Sequence, residues 1–121
     1  MTATLSNKKT KTILVVDDEA GTRRLISLIL RDGGYAVLEA SDSETAAQLH
    51  QRHQGEIDLL LTDVFLPGPS GCDLAASLRE AEPDLHVMFM SGLPEAEEYA
   101  PFLRKPFGVA ELLRQVKTIV D

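Results

Sequence analysis

Three consecutive acids, Asp17-Asp18-Glu19, stand directly behind the apolar run Ile13-Leu14-Val15-Val16. A second apolar run, Leu59-Leu60-Leu61-Thr62, ends in Asp63. Carboxylates this close repel one another, and burial raises the cost of ionising them. Such a cluster is tolerable if it is solvated, protonated or shared by a metal ion. Two parallel strands ending this way would bring Asp17, Asp18 and Asp63 to one sheet edge, as a site for a hard divalent cation. Magnesium takes oxygen ligands in octahedral geometry and keeps several waters, so one or two direct carboxylates suffice. A carboxylate is also a nucleophile toward phosphorus and forms an acyl phosphate. Ser91-Gly92 and Lys105-Pro106 follow two further strand-like segments. Their hydroxyl and ammonium are groups that, with a metal, neutralise and hydrogen-bond a transferred phosphoryl group.

Taken singly, each of these residues has a plainer reading. Asp18 and Glu19 at the start of a helix would complement its positive end. Serine before glycine is common in turns. A lone lysine is usually solvated, a lone aromatic such as Phe102 is usually core, and Asp63 alone is a loop-entry acid. Cys72 and the histidines read as structural or surface groups.

The elements that must position these side chains alternate along the chain. Ile13 to Val16 is short, continuous and apolar, as a strand covered on both faces should be. Leu25, Ile26, Ile29 and Leu30 then recur at helical spacing, with Gly33-Gly34 as the stop. Tyr35 to Ala40 reads as a second strand, and Ser41-x-x-Glu44 as a capping box for a helix through Ala46, Ala47 and Leu49. A strand over Ile57 to Thr62 leads into the turn Leu66-Pro67-Gly68-Pro69-Ser70-Gly71, where Ser70 can cap a helix carrying Leu74, Ala75 and Leu78. His86 to Met90 is a fourth strand, Phe102 to Arg104 a brief fifth, and Val109 to Val120 a final helix. This alternation predicts an α/β fold, a doubly wound five-stranded parallel sheet with helices on both faces. In such sheets the ligand site lies outside the carboxyl ends of the strands, where strand order reverses. Every chemically interesting residue named above falls at such an end.

Composition narrows the function classes. At 121 residues the chain is one domain with room for a single packed core. Its 12 basic and 19 acidic side chains give a net charge of −7, which argues against direct nucleic-acid binding. His50, His53 and His86 form no zinc-like cluster, and the single Cys72 excludes an internal disulfide framework and fits a reducing compartment. No stretch approaches membrane-spanning length and no signal-peptide pattern opens the chain, so a cytoplasmic location without membrane insertion is the expectation. Residues 1–11, with Lys8, Lys9 and Lys11, read as a flexible arm, and 12–121 as the domain.

The segments Ile-Leu-Val-Val-Asp17-Asp18-Glu19, Leu-Leu-Thr-Asp63-Val-Phe-Leu-Pro67, Met-Ser91-Gly92 and Lys105-Pro106-Phe107 resemble, in order, the signature segments of two-component response-regulator receiver domains. The likeness covers roughly residues 12 to 121. It implies the flavodoxin-like strand order 2-1-3-4-5 of chemotaxis-type receivers. It also implies roles. Asp63 corresponds to the phosphoacceptor, served by a sensor histidine kinase or a histidine phosphotransfer protein. Asp18 corresponds to the direct magnesium ligand, Asp17 acts through a metal-bound water or directly, and the Phe65 backbone carbonyl and Asp63 complete the protein's share. Lys105 pairs with Asp63 and then with the phosphoryl group. Ser91 matches the switch hydroxyl and Phe102 the aromatic that follows it. The Lys105–Pro106 bond is cis in the family. The implied output is altered binding of an unknown partner rather than enzymatic turnover.

Two features depart from the usual pattern. Only 14 positions separate Ser91 from Lys105, and Ser91 to Pro101 spans 11 residues, near the minimum for a parallel crossover. Pro94 can start a helix and Pro101 should end it, which leaves a shortened fourth helix rich in Glu95, Glu97 and Glu98 and a remodelled partner face. Phe65 and Leu93, two residues past Asp63 and Ser91, are apolar and cannot orient an attacking water, which implies a slowly hydrolysed phosphoaspartate. The Leu66-to-Gly71 turn resembles receivers attached to hybrid histidine kinases. The chain has no room for a kinase or DNA-binding output, so a stand-alone receiver or a piece of a larger protein is expected. Among rivals, a haloacid-dehalogenase-type phosphatase wants a second acid where Phe65 stands. A flavodoxin-type flavin carrier wants a hydroxyl- and glycine-rich loop where Asp17-Asp18-Glu19 would repel the phosphate. A degenerate receiver serving only as a docking module is the remaining alternative.

Overall fold

The apolar runs become the strands of one parallel sheet in a computed structural model that describes residues 10–93 and 101–121. They are β1 (Thr12–Val16), β2 (Ala36–Ala40), β3 (Leu59–Asp63), β4 (His86–Ser91) and β5 (Phe102–Arg104), in the order β2-β1-β3-β4-β5. Helices α1 (Ala20–Asp32), α2 (Ser43–Arg52), α3 (Gly71–Ala81) and α4 (Val109–Val120) connect and cover them. The fold is the flavodoxin-like α/β arrangement expected. The short helix expected between Pro94 and Pro101 falls on residues 94–100, which lie outside the described residues, as does most of the 1–11 arm. Of that arm Thr10 and Lys11 are described, and the Lys11 carbonyl accepts from the Ala36 N–H at 2.9 Å.

Successive side chains point to opposite faces of a strand, so continuous apolar runs supply two cores. Leu14, Val16, Leu60, Val87 and Phe89 meet Ala46 of α2 and Leu74, Ala75 and Leu78 of α3 on one face. Ile13, Val15, Leu59, Leu61, Met88 and Met90 meet Ile26 and Leu30 of α1 and Leu112, Val116 and Val120 of α4 on the other. Each fully buried leucine contributes about 1.5–3 kcal/mol relative to exposure. These helices and this two-sided burial leave the carboxyl edge of the sheet as the place where polar groups converge.

Local details depart from the sequence reading. The cap of α2 is Asp42, not Ser41: the Asp42 carboxylate accepts from Thr45 N–H at 2.8 Å. Starting the helix one residue later turns Ser43 inward, where its hydroxyl donates to the Pro69 carbonyl at 2.8 Å. Leu25 is 58% exposed instead of in the core. Ser27 occupies the buried stripe of α1 and satisfies its hydroxyl on the Arg23 carbonyl one turn back. The second strand begins at Ala36 rather than Tyr35, the third runs Leu59–Asp63 rather than Ile57–Thr62, and the fourth extends to Ser91. Ser70 does cap α3, in a reciprocal box with Asp73, and Gly33 ends α1. Among the described residues no helix is long and apolar enough to cross a membrane.

Candidate functional site

Strand register decides which side chains meet at the carboxyl edge. Val16 lies opposite Thr62, so one step further Asp17 and Asp63 arrive side by side. Asp63 lies opposite Met90; the next residue is Ser91, itself opposite Arg104, and Lys105 follows. β1 pairs with β2 on one side and β3 on the other, so the acids sit where the winding reverses.

Lys105 ties the acids together. Its Nζ donates to Asp17 Oδ2 at 2.8 Å and lies 2.7 Å from Asp63 Oδ1. Asp17 is fully buried, and its other oxygen, Oδ1, accepts from Glu19 N–H at 2.9 Å. Asp18 is exposed. One ligand oxygen from each of Asp17, Asp18 and Asp63 can be chosen so that all lie within 4.8 Å of one another. With all three ionised, one ammonium leaves two negative charges uncompensated. That deficit and the all-oxygen donor set fit a hard dication such as magnesium.

The titration of the site follows from the same crowding. Burial, reinforced by the Asp17 carboxylate, pushes Asp63 up to about 7 despite the opposing pull of Lys105. For Lys105, burial works against the charge, but hydrogen bonds to Asp17 and Asp63 outweigh it and raise the pKa. At the rim, Glu19 caps α1 by accepting from Thr22 N–H, which lowers its own pKa.

The remaining expected residues take distinct places. The Ser91 hydroxyl is buried and accepts from Leu93 N–H at 3.0 Å, within its own loop. Phe102, partly buried, packs against the α2/α3-side core rather than among the charges. Phe65 follows β3 with half its surface exposed, and Leu93 is similarly exposed. The Lys105–Pro106 peptide is cis.

Besides the bond from Lys105 to Asp17, sequence reasoning missed Gly71 and Arg23. Gly71 opens α3 hard against β3: a Cβ there would lie 1.9 Å from the Asp63 carbonyl oxygen, and its N–H donates to the Val64 carbonyl at 2.8 Å. Arg23 donates from Nη1 to the Asp17 carbonyl at 2.9 Å. An arginine in the first turn of a helix gives no sequence signal for such a bond.

Comparison with known proteins agrees with this geometry. A family profile described as the response regulator receiver domain matches residues 13–117. The chain is 31% identical over 119 residues to the response regulator receiver protein CpdR of Brucella abortus (strain 2308), covering 91% of this chain and 97% of that one. It is 32% identical over 118 residues to the sensor kinase CckA of the same organism, with 91% of this chain but 12% of the kinase covered. At 34% identity and 91% coverage of this chain it spans 52% of the phosphate regulon transcriptional regulatory protein PhoB of Pseudomonas aeruginosa. Several curated relatives are thus much longer than the matched region. Among solved structures, the receiver domain from the hybrid histidine kinase CckA superposes with a TM-score of 0.81 at 37% identity, covering 91% of this chain and 99% of that one. A putative response regulator from Chloroflexus aurantiacus gives 0.82 at 33% identity, covering 93% and 98%. With sequence profile, fold and acid cluster in agreement, the chain belongs to the response regulator receiver domains of two-component systems.

Proposed function

We propose that Asp63 is the phosphoacceptor, taking a phosphoryl group from a phosphohistidine on a sensor histidine kinase or a histidine phosphotransfer protein. A carboxylate oxygen of Asp63 attacks phosphorus, the P–N bond breaks, and the imidazole nitrogen leaves with the electron pair. The observation that carries this reading is the Lys105 ammonium bridging Asp17 and Asp63 beside the exposed Asp18. Asp18 and Asp63 would hold magnesium directly, Asp17 through water, and the Phe65 carbonyl would complete the protein's share of the ligands. Magnesium bound there would supply charge neutralisation for the phosphoryl oxygens.

Lys105 does not need to travel: its ammonium already neutralises the acceptor and stays to pair with the phosphoryl oxygens. The Ser91 hydroxyl exchanges its bond from Leu93 N–H for one donated to the phosphoryl group, and Phe102 follows by packing further inward. The phosphoryl group stays on the chain, so the product is a changed surface with changed partner affinity rather than a released metabolite.

The test is incubation with magnesium and acetyl phosphate, followed by intact-mass measurement. A single phosphoryl adduct is expected on the wild type, lost in Asp63→Asn and on chelation of the metal. No adduct under any of these conditions would favour a receiver that only docks.

A further inference from the structure

We propose that Arg23 is a positioning residue for the metal-binding end of β1, acting through the Asp17 backbone carbonyl and itself held by Glu39 of β2. The inference rests on the reading of Asp18 as a direct magnesium ligand. The two neighbouring acids are fixed very differently. Both carboxylate oxygens of Asp17 are engaged, one by Glu19 N–H and one by Lys105. Asp18 is exposed, and among the described residues no protein group hydrogen-bonds its carboxylate. The direction in which Asp18 is presented is therefore set by its backbone, and above all by the peptide unit that joins it to Asp17.

That peptide unit is where Arg23 acts. Its Nη1 donates to the Asp17 carbonyl at 2.9 Å while Nε donates to Glu39 Oε1 at 3.3 Å. The Asp17 N–H is in turn tied to the Ala40 carbonyl at 3.2 Å. Arg23 and Glu39 side chains are only 17% and 26% exposed, so water competes weakly for these bonds. A guanidinium suits the task because its planar fork serves two acceptors at once, whereas an ammonium is a single point donor. Arg31 reaches the other Glu39 oxygen at 3.6 Å but donates to the Val37 carbonyl rather than to the acid loop. It brackets Glu39 without touching the site. The strut runs from β2 through Arg23 to the one peptide that orients Asp18.

Groups that orient metal ligands typically change metal affinity about 10- to 100-fold when removed. Charge alone predicts the opposite sign, since deleting a cation near a dication strengthens its binding. This opposition makes the test sharp. Magnesium chloride is titrated calorimetrically into the full chain as wild type, Arg23→Met, Arg23→Lys, Arg31→Met and Asp18→Asn, with thermal unfolding recorded for each. Arg23→Met is expected to weaken magnesium binding about tenfold, and Arg23→Lys to recover only part of the loss. Arg31→Met, with the same charge change, is expected to show no weakening. Unchanged or tighter binding by Arg23→Met overturns the proposal, as does equal weakening by Arg31→Met. Should Arg23→Met fail to fold, Arg23→Lys decides: weaker binding supports the strut and wild-type affinity refutes it. Asp18→Asn binding magnesium as the wild type does would instead overturn the metal assignment on which the inference rests.

Discussion

At the scale of single residues, the unusual object is a buried carboxylate whose proton affinity is raised although an ammonium lies 2.7 Å away. Asp63 titrates near its ordinary 3.8 in the unfolded chain and near about 7 in the metal-free fold. The folded state therefore binds the proton more tightly, and this contribution to stability is complete below about pH 4 and lost as the pH rises through about 7. In chelator, the wild type should lose stability relative to Asp63→Asn across that window, measured by denaturant unfolding; parallel profiles would contradict it. Phe65 makes a second prediction. Half-exposed and apolar beside Asp63, its side chain offers no hydrogen bond to an attacking water. Phe65→Gln should shorten the phosphoaspartate half-life severalfold, followed by intact mass after removal of the donor; an unchanged half-life would count against slow hydrolysis. The acids were legible because they follow apolar runs whose ends mark strand ends, and Lys105 because of its Lys-Pro-Phe context. The bridge from Lys105 to Asp17 and the bond from Arg23 were not, because they depend on how far a long side chain reaches across neighbouring strands.

Elements were legible wherever burial is two-sided, as in the runs at Ile13 and Leu59, because a short continuous apolar run is what a strand covered on both faces needs. Their limits were not. Hydrogen-bond ladders stop where register stops, so Ile57, though buried, lies before the third strand while Asp63 lies within it. The cap of α2 was misplaced by one residue because Ser41 and Asp42 are both good caps, and the contact of Ser43 with Pro69, distant in sequence, decides between them. The helix α3 shows how an element positions Asp63. Its first residue must be glycine, since a Cβ would run into the Asp63 carbonyl. Gly71→Ala should therefore destabilise the fold by about 1–3 kcal/mol and shift Asp63 enough to slow phosphorylation by acetyl phosphate. Equilibrium unfolding and adduct formation read the two effects. Wild-type values for both would show that the helix start yields without cost.

For the whole molecule, the sheet gathers an uncompensated negative charge at one edge, and a dication that binds only the folded chain must stabilise it. At a free magnesium concentration 100 times its dissociation constant the gain is about 2.7 kcal/mol. That gain should appear as a rise in melting temperature for the wild type and vanish in Asp18→Asn. Strand order and the helices on both faces followed from alternation and from resemblance to receivers. The shortened helix expected between Pro94 and Pro101 lies outside the described residues. The central claim is that Asp63 carries the phosphoryl group, and trapping the acyl phosphate tests it most directly. The magnesium- and acetyl-phosphate-treated chain is reduced with borohydride, digested, and sequenced by mass spectrometry. Reduction confined to the side chain at Asp63, and dependent on magnesium, is the predicted result; a trapped label at Asp17, Asp18 or any other residue would contradict it.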